Sequence, residues 1–209
     1  MDRGKNMSNY ERTKNQMCAE FLGYDQEKMI ERFGFEADAQ FLKFRFLGSG
    51  CRVNRRTGEV ECADPVTGKF LAADFNEAMT VYDLLCWSKP GAAPCGRYMN
   101  LQSLARLCGA ASWPGNSGFA EQARLFDGRT EALVKAAERL GGRPVSGGDA
   151  AAEIPVFGEL RAILRFWASD DEFEPQLQIL WDENTLMYMH YETAWYASAA
   201  LLRRVCALV

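Results

Sequence analysis

The 209-residue chain is poor in histidine, since His190 is its only one. A site that needs two or three imidazoles from one chain is therefore excluded, and a His-Cys-Asp triad has one possible base. A basic excess is also missing, because 24 Lys and Arg residues stand against 28 Asp and Glu residues, for a net charge of -4. Proteins that neutralise many phosphates carry such an excess, so we expect no nucleic-acid partner.

Long hydrophobic runs are absent too. No stretch approaches the roughly 20 uninterrupted apolar residues of a membrane-spanning helix, and the polar N-terminus has no apolar segment of the kind found in secretory signals. We therefore expect neither a membrane span nor secretion. Hydrophobic residues make up 48% of the chain and charged residues 25%, a balance typical of a soluble globular protein.

The seven cysteines form no close pair of the Cys-x-x-Cys type that holds structural zinc. They are odd in number and widely spaced, in a chain long enough to fold without disulfides. This pattern predicts reduced thiols and a cytoplasmic location. A metal or cluster site at Cys86, Cys95 and Cys108, on or near a loop rich in glycine and proline, is the weaker alternative, because isolated cysteines are usually buried in a core.

The hydrophobic spacing divides the chain into two parts. These are a helical N-terminal arm and a single α+β domain, at residues 1–34 and 35–209. In the arm, residues 10–22 are predicted to form a helix, and a shorter helix follows between Asp25 and Gly34. Beyond the arm, Asp74 and Asn100 are predicted to begin helices, because their side chains can cap a helix N-terminus.

Alternating apolar and polar residues predict strands in two regions. Near the N-terminus, three short runs form an antiparallel meander, at residues 40–46, 51–54 and 59–62. Near the C-terminus, residues 160–167 and 177–181 form a hairpin with an acidic connection. Because helices are predicted between the two regions and at the C-terminal end, we predict an α+β fold with one mainly antiparallel sheet and helices packed on one face.

The C-terminal stretch resembles a known family. A strand that ends in an aromatic residue, residues 162–167, precedes Asp171-Glu172-Phe173, then Ile179-Leu180-Trp181-Asp182, and then a helical end with Glu192. This order resembles the uncharacterised domain-of-unknown-function family three-seven-eight-six (DUF3786). Gly148-Asp149 also fits, and weaker similarity in the first half extends the resemblance to residues 41–205.

The resemblance implies a bacterial or archaeal domain, frequent in anaerobes, that serves iron-sulfur or corrinoid one-carbon metabolism. Some members are joined to an iron-sulfur segment of closely spaced cysteines. This chain lacks that segment, because its shortest cysteine interval runs from Cys86 to Cys95. The resemblance therefore transfers no functional residue.

The acidic connection of the C-terminal hairpin is one candidate site. Asp170, Asp171, Glu172 and Glu174 lie within five positions, and carboxylate oxygens are ligands for Mg²⁺ or Ca²⁺. The run lacks the Asp-x-Asp-x-Asp-Gly order of a calcium loop, so a solvated turn is favoured over a metal site. Phe173, within the run, is predicted to anchor in the core.

His190 and Glu192, at the start of the C-terminal helix, are a second candidate site. An imidazole near a carboxylate can act as a general base. Neighbouring residues on a helix do not face one another, however, so these two need a third element between them, and a capping or packing role for His190 is favoured. Trp113 and Asn116 are a third candidate, because a tryptophan in a loop suits contact with a ligand or partner better than a place in the core.

No pair of nucleophile and base, phosphate loop or metal spacing stands out from the sequence. The first hypothesis is therefore a non-catalytic module that binds a partner protein or a small ligand, with Trp113, Asn116, Asp171, Glu172, His190 and Glu192 as candidate ligand-binding residues. The alternative is an enzyme that combines the acidic run with His190, through a divalent metal or acid-base chemistry. We predict no cofactor, and the sequence leaves the oligomeric state open.

Overall fold

Two five-stranded antiparallel sheets form the framework of the protein, whose computed structural model describes residues 8–110 and 119–209. The first sheet has the order β1-β2-β3-β4-β5, with β1 (Glu36–Ala37), β2 (Phe41–Phe46), β3 (Ser49–Asn54), β4 (Val60–Ala63) and β5 (Phe70–Ala72). The second has the order β6-β10-β9-β8-β7, with β6 (Tyr98–Asn100), β7 (Arg143–Pro144), β8 (Ala150–Phe157), β9 (Leu160–Trp167) and β10 (Gln176–Asp182). The predicted α+β class is confirmed, but the expectation of a single sheet is wrong.

The two sheets are separate because both edges of the predicted hairpin are occupied. The hairpin is confirmed as β9 and β10, and the meander as β2, β3 and β4. β8 covers the free edge of β9, and β6 covers that of β10, so neither edge is open to the meander. The sequence pattern does not predict β8, because its three alanines show no alternation and Pro155 lies in it next to a register shift.

Helices pack on both sheets and on one another. The described residues include α1 (Asn9–Phe21), α2 (Gln26–Phe33), α3 (Phe75–Cys86), α4 (Leu101–Cys108), α5 (Ala120–Phe126), α6 (Thr130–Arg139), α7 (Tyr191–Cys206) and a short 3-10 helix (Glu183–Met187). Asp74 and Asn100 cap α3 and α4 as predicted, each through a side-chain oxygen 2.9 Å from a backbone nitrogen one turn later. α3 lies along α7, while α6 packs on β8 and α5 on β10. Within the described residues no helix has the length and apolar character needed to cross a membrane.

The helices of the N-terminal arm pack on their own chain. The Phe21 ring lies 6.2 Å from that of Tyr82, and the Tyr10 ring lies 4.9 Å from that of Phe75. The Lys14 ammonium donates to a backbone carbonyl just after β5 at 2.6 Å. The arm therefore completes the core over α3.

One cysteine pair differs from the sequence expectation. Cys51 and Cys62 lie directly opposite each other on β3 and β4 and form a disulfide, with 4.2 Å between their α-carbons. This short separation is that of an antiparallel pair that exchanges no backbone hydrogen bonds, where side chains come closest. The expectation that every thiol is reduced is therefore wrong for this pair, because the register of the meander brings the two sulfurs together.

A buried ion network joins α3, α7 and the first sheet. Arg204, which is 2% exposed, donates to the Glu77 carboxylate through Nε at 2.9 Å and through Nη2 at 2.6 Å. Its third nitrogen donates to the carbonyl of Ala63 at the end of β4, at 3.3 Å. Arg203 bridges Glu77 and Asp74 at 2.7 and 3.0 Å. These contacts fix where α7 crosses α3.

The turn between β2 and β3 tolerates only glycine at position 48. Gly48 has a φ of +74°, and a β-carbon there would overlap the backbone carbonyl of Leu140. We expect Gly48→Ala to lower the free energy of unfolding, measured with urea, by clearly more than Gly34→Ala. Gly34 has a similar φ of +65° with open space around it. Its substitution therefore costs only the strain of an alanine in the left-handed conformation, about 1–2 kcal/mol. Equal losses for the two variants would contradict this packing.

Candidate functional site

His190 is held by a carboxylate from another helix. The backbone N–H of His190 donates to Asp83 Oδ2 at 2.7 Å, and its ring nitrogen Nδ1 lies 2.7 Å from Asp83 Oδ1. His190 is the N-cap residue of α7, and Asp83 lies in the last part of α3. The Asp83 side chain is 10% exposed and that of His190 47% exposed. Asp83 therefore satisfies the backbone N–H that precedes α7 and contacts the imidazole at the same time.

Trp87 completes an exposed aromatic surface beside the histidine. Its ring centroid lies 3.9 Å from that of His190, with 30° between the two planes, and the indole is 46% exposed. An ionised carboxylate only accepts hydrogen bonds, so Nδ1 carries the hydrogen that points at Asp83. In a neutral ring, the tautomer that donates through Nδ1 leaves a lone pair on Nε2. Among the described residues, the ring of His190 is hydrogen-bonded through Nδ1 to Asp83. The site can accept a hydrogen bond and stack against a ring.

Three buried polar side chains near Trp87 and His190 in the sequence lack a hydrogen-bond partner in the described part of the chain. Ser88 Oγ, Thr185 Oγ1 and the Tyr191 hydroxyl have no hydrogen-bond partner among residues 8–110 and 119–209. Ser88 follows Trp87 and Tyr191 follows His190 in the chain, while Thr185 lies in the 3-10 helix that precedes α7. A buried group without a partner costs about 1–3 kcal/mol, which a polar ligand or ordered water can offset.

The carboxylate that the sequence suggested for His190 does not bond to it. Glu192 is exposed in the first turn of α7, and Asp83 on α3 bonds to His190 in its place. Asp83 lies 107 positions from His190 in the sequence, so local spacing could not find it. The available signal was an acidic residue near the C-terminal end of the mostly apolar helix α3.

The acidic connection forms a turn of its own. Asp170 Oδ1 accepts hydrogen bonds from the backbone N–H groups of Glu172 and Phe173 at 2.9 and 2.8 Å. Asp171 and Glu172 are exposed, and Phe173 is 60% exposed, so the prediction that it anchors in the core is wrong. The turn hydrogen bonds direct the phenyl ring outward, next to a groove of about 470 Å³. The structure contains no hydrogen bond or ion pair between this connection and His190.

The three cysteines considered for a metal do not converge. Burial raises the pKa of the Cys86 thiol to about 12, and the Asp83 carboxylate adds to this, so the thiol stays protonated. Cys95 is exposed on a loop, and Cys108 is exposed at the end of α4, where its thiol donates to helix carbonyls. In the part of the chain that the structure describes, no group of three Cys, His, Asp or Glu side chains is placed to hold a metal ion. Trp113 and Asn116 lie outside the described residues.

The fold and the site define an α+β domain in which a histidine is held by a carboxylate from a neighbouring helix. The model of the family described as Domain of unknown function (DUF3786) matches residues 25–204. The chain belongs to this family, and the resemblance seen in its sequence is confirmed. No curated protein and no solved structure matches the chain.

Proposed function

We propose that this protein is a non-catalytic binding module that holds a small ligand or a partner protein at the junction of α3 and α7. One observation carries the proposal: Asp83 fixes the His190 ring against Trp87, while about half of each of these two residues stays exposed. The family resemblance supports a setting in iron-sulfur or corrinoid metabolism, and the spacing of the cysteines supports a location in the cytoplasm.

The chemistry of the surface favours one class of ligand. A tryptophan face suits an aromatic ring, and the Nε2 lone pair accepts a hydrogen bond. The matching ligand is a planar aromatic group with a donor, such as a phenol. A partner protein would offer the same chemistry through a tyrosine or tryptophan side chain.

Among residues 8–110 and 119–209, no activated nucleophile lies beside the histidine, which supports a binding role over catalysis. Cys86, on the same turn of α3 as Asp83, is a protonated thiol because its pKa is about 12. The acidic connection makes no contact with His190 in the described residues, so no observation favours the alternative of an enzyme that combines them.

The test uses two ligands that differ in one hydrogen-bond donor. We expect 2-naphthol to bind more tightly than 2-methoxynaphthalene, which has the same rings and no donor, in calorimetric titrations. His190→Asn keeps an amide that can reach Asp83 and removes Nε2, so it should abolish the difference between the two ligands. Trp87→Ala should weaken both.

The control is Trp167→Phe, which changes an aromatic residue at the end of β9 and should leave both affinities unchanged. Equal affinities of the two ligands for the wild-type protein would overturn the proposed site. So would variants at His190 and Trp87 that bind as the wild type does.

A further inference from the structure

Among the four edge strands of the two sheets, β5 is the one that combines full exposure with a lack of charge and proline. An exposed strand edge can pair with another chain, and proteins limit such pairing with charge, proline, short strands or a covering element. β1 carries Glu36, β7 is Arg143–Pro144, and β6 is half-buried along its whole length. β5, Phe70–Ala72, has neither charge nor proline, and all three of its residues are exposed.

The backbone of β5 offers two open pairing positions. The Ala73 N–H donates to Val60 and the Asp64 N–H to the carbonyl of Lys69, both at 2.9 Å. Antiparallel pairing alternates along a strand, so positions 69, 71 and 73 face β4, while Phe70 and Ala72 direct their N–H and C=O groups to the open edge. Nothing in the described part of the chain pairs with them.

We propose that β5 pairs with β5 of a second copy of this chain around a two-fold axis at Leu71. In this register Phe70 of each copy lies opposite Ala72 of the other. Each of these two residue pairs exchanges two backbone hydrogen bonds, so four form in all. A two-fold axis at Phe70 would instead require pairing with Gly68, whose φ of +72° belongs to a turn. An axis at Ala72 would bring Phe70 opposite Asp74, where α3 is capped.

Charge and side-chain chemistry fit a second copy better than an unrelated partner. Lys69 comes opposite Ala73 of the second copy and Gly68 opposite its Asp74, so no like charges meet along the paired strands. At the axis, Leu71 meets its own copy, and this side chain is 56% exposed in the single chain. Antiparallel pairs of apolar side chains directly opposite each other stabilise a sheet. The result is a ten-stranded sheet that crosses the dimer.

The experiment measures mass by sedimentation equilibrium over a dilution series. We expect the wild-type chain to move from one chain mass, 23.5 kDa, towards twice that value as concentration rises. Leu71→Lys and Leu71→Glu should each stay monomeric, because like charges meet at the axis, whereas an equimolar mixture of the two should form the dimer again. Leu107→Lys is the matched control, since Leu107 is 55% exposed on α4, and it should dimerise as the wild type does.

Hydrogen exchange locates the contact. The amides of Phe70 and Ala72 should become protected in the wild type as the dimer forms, while they exchange freely in Leu71→Lys. A wild-type chain that stays at one chain mass at every soluble concentration would overturn the proposal. A dimer that survives in both Leu71 variants, or a mixture of them that stays monomeric, would do the same.

Discussion

Replacing Glu77 with alanine should lower the free energy of unfolding by about 3–5 kcal/mol, because it leaves a charge buried without its partner. Arg204 is 2% exposed, and two of its nitrogens donate to Glu77. Alanine supplies no acceptor, and α7 and β4 hold the guanidinium in place. The measurement is urea unfolding followed by circular dichroism.

Two further variants separate charge burial from lost packing. Glu77→Gln keeps one oxygen as an acceptor and should lose less than Glu77→Ala. The double variant Glu77→Leu with Arg204→Met removes both charges and keeps apolar volume, so it should recover much of the loss. A Glu77→Ala protein as stable as the wild type would show that Arg204 reaches water and that the network does not hold α7.

Replacing Asp182 with alanine should release the loop that carries Cys95. The buried Asp182 carboxylate accepts hydrogen bonds from the backbone N–H groups of Cys95, Gly96 and Asn184, at 2.7 to 3.1 Å. Each donor that stays buried without an acceptor costs about 1–3 kcal/mol. We expect a loss of stability in this range or above it, together with faster hydrogen exchange at the amides of Cys95 and Gly96.

Glu183→Ala is the control for that variant. Glu183 is the next residue along the chain and forms an exposed ion pair with Arg97 at 2.5 Å. Exposed pairs contribute about 0–1 kcal/mol, so stability should barely change. Exchange rates at Cys95 and Gly96 that rise equally in both variants would contradict the assigned role of Asp182.

Local sequence patterns predicted many of the helices and strands, because a helix cap or a strand alternation involves residues only a few positions apart. Asp74 and Asn100 begin helices since their side chains reach backbone N–H groups one turn away. The β9–β10 hairpin follows from alternation and a short connection. The separation into two sheets depends instead on β6 and β8, which find their places only when distant segments meet.

The site was harder to predict for the same reason. His190 is a candidate from the sequence because it is the only histidine. Its partner Asp83 lies on a helix far away in the sequence, whereas the sequence pattern indicated the nearby Glu192. Phe173 shows the opposite error, because an aromatic residue in a polar run suggested burial, while the hydrogen bonds of Asp170 turn it outward. The partner of His190 and the orientation of Phe173 both depend on hydrogen bonds between side chains and the backbone that form only in the folded chain.

The most direct test of the proposed ligand site follows the NMR signals of the His190 ring during a titration with 2-naphthol. Because His190 is the only histidine, its ring signals need no further assignment. The proposed site predicts that the Nε2 and ring-proton signals shift with the same saturation curve as the Trp87 indole signal. Ring signals that stay unchanged while 2-naphthol binds elsewhere would contradict a ligand site at the junction of α3 and α7.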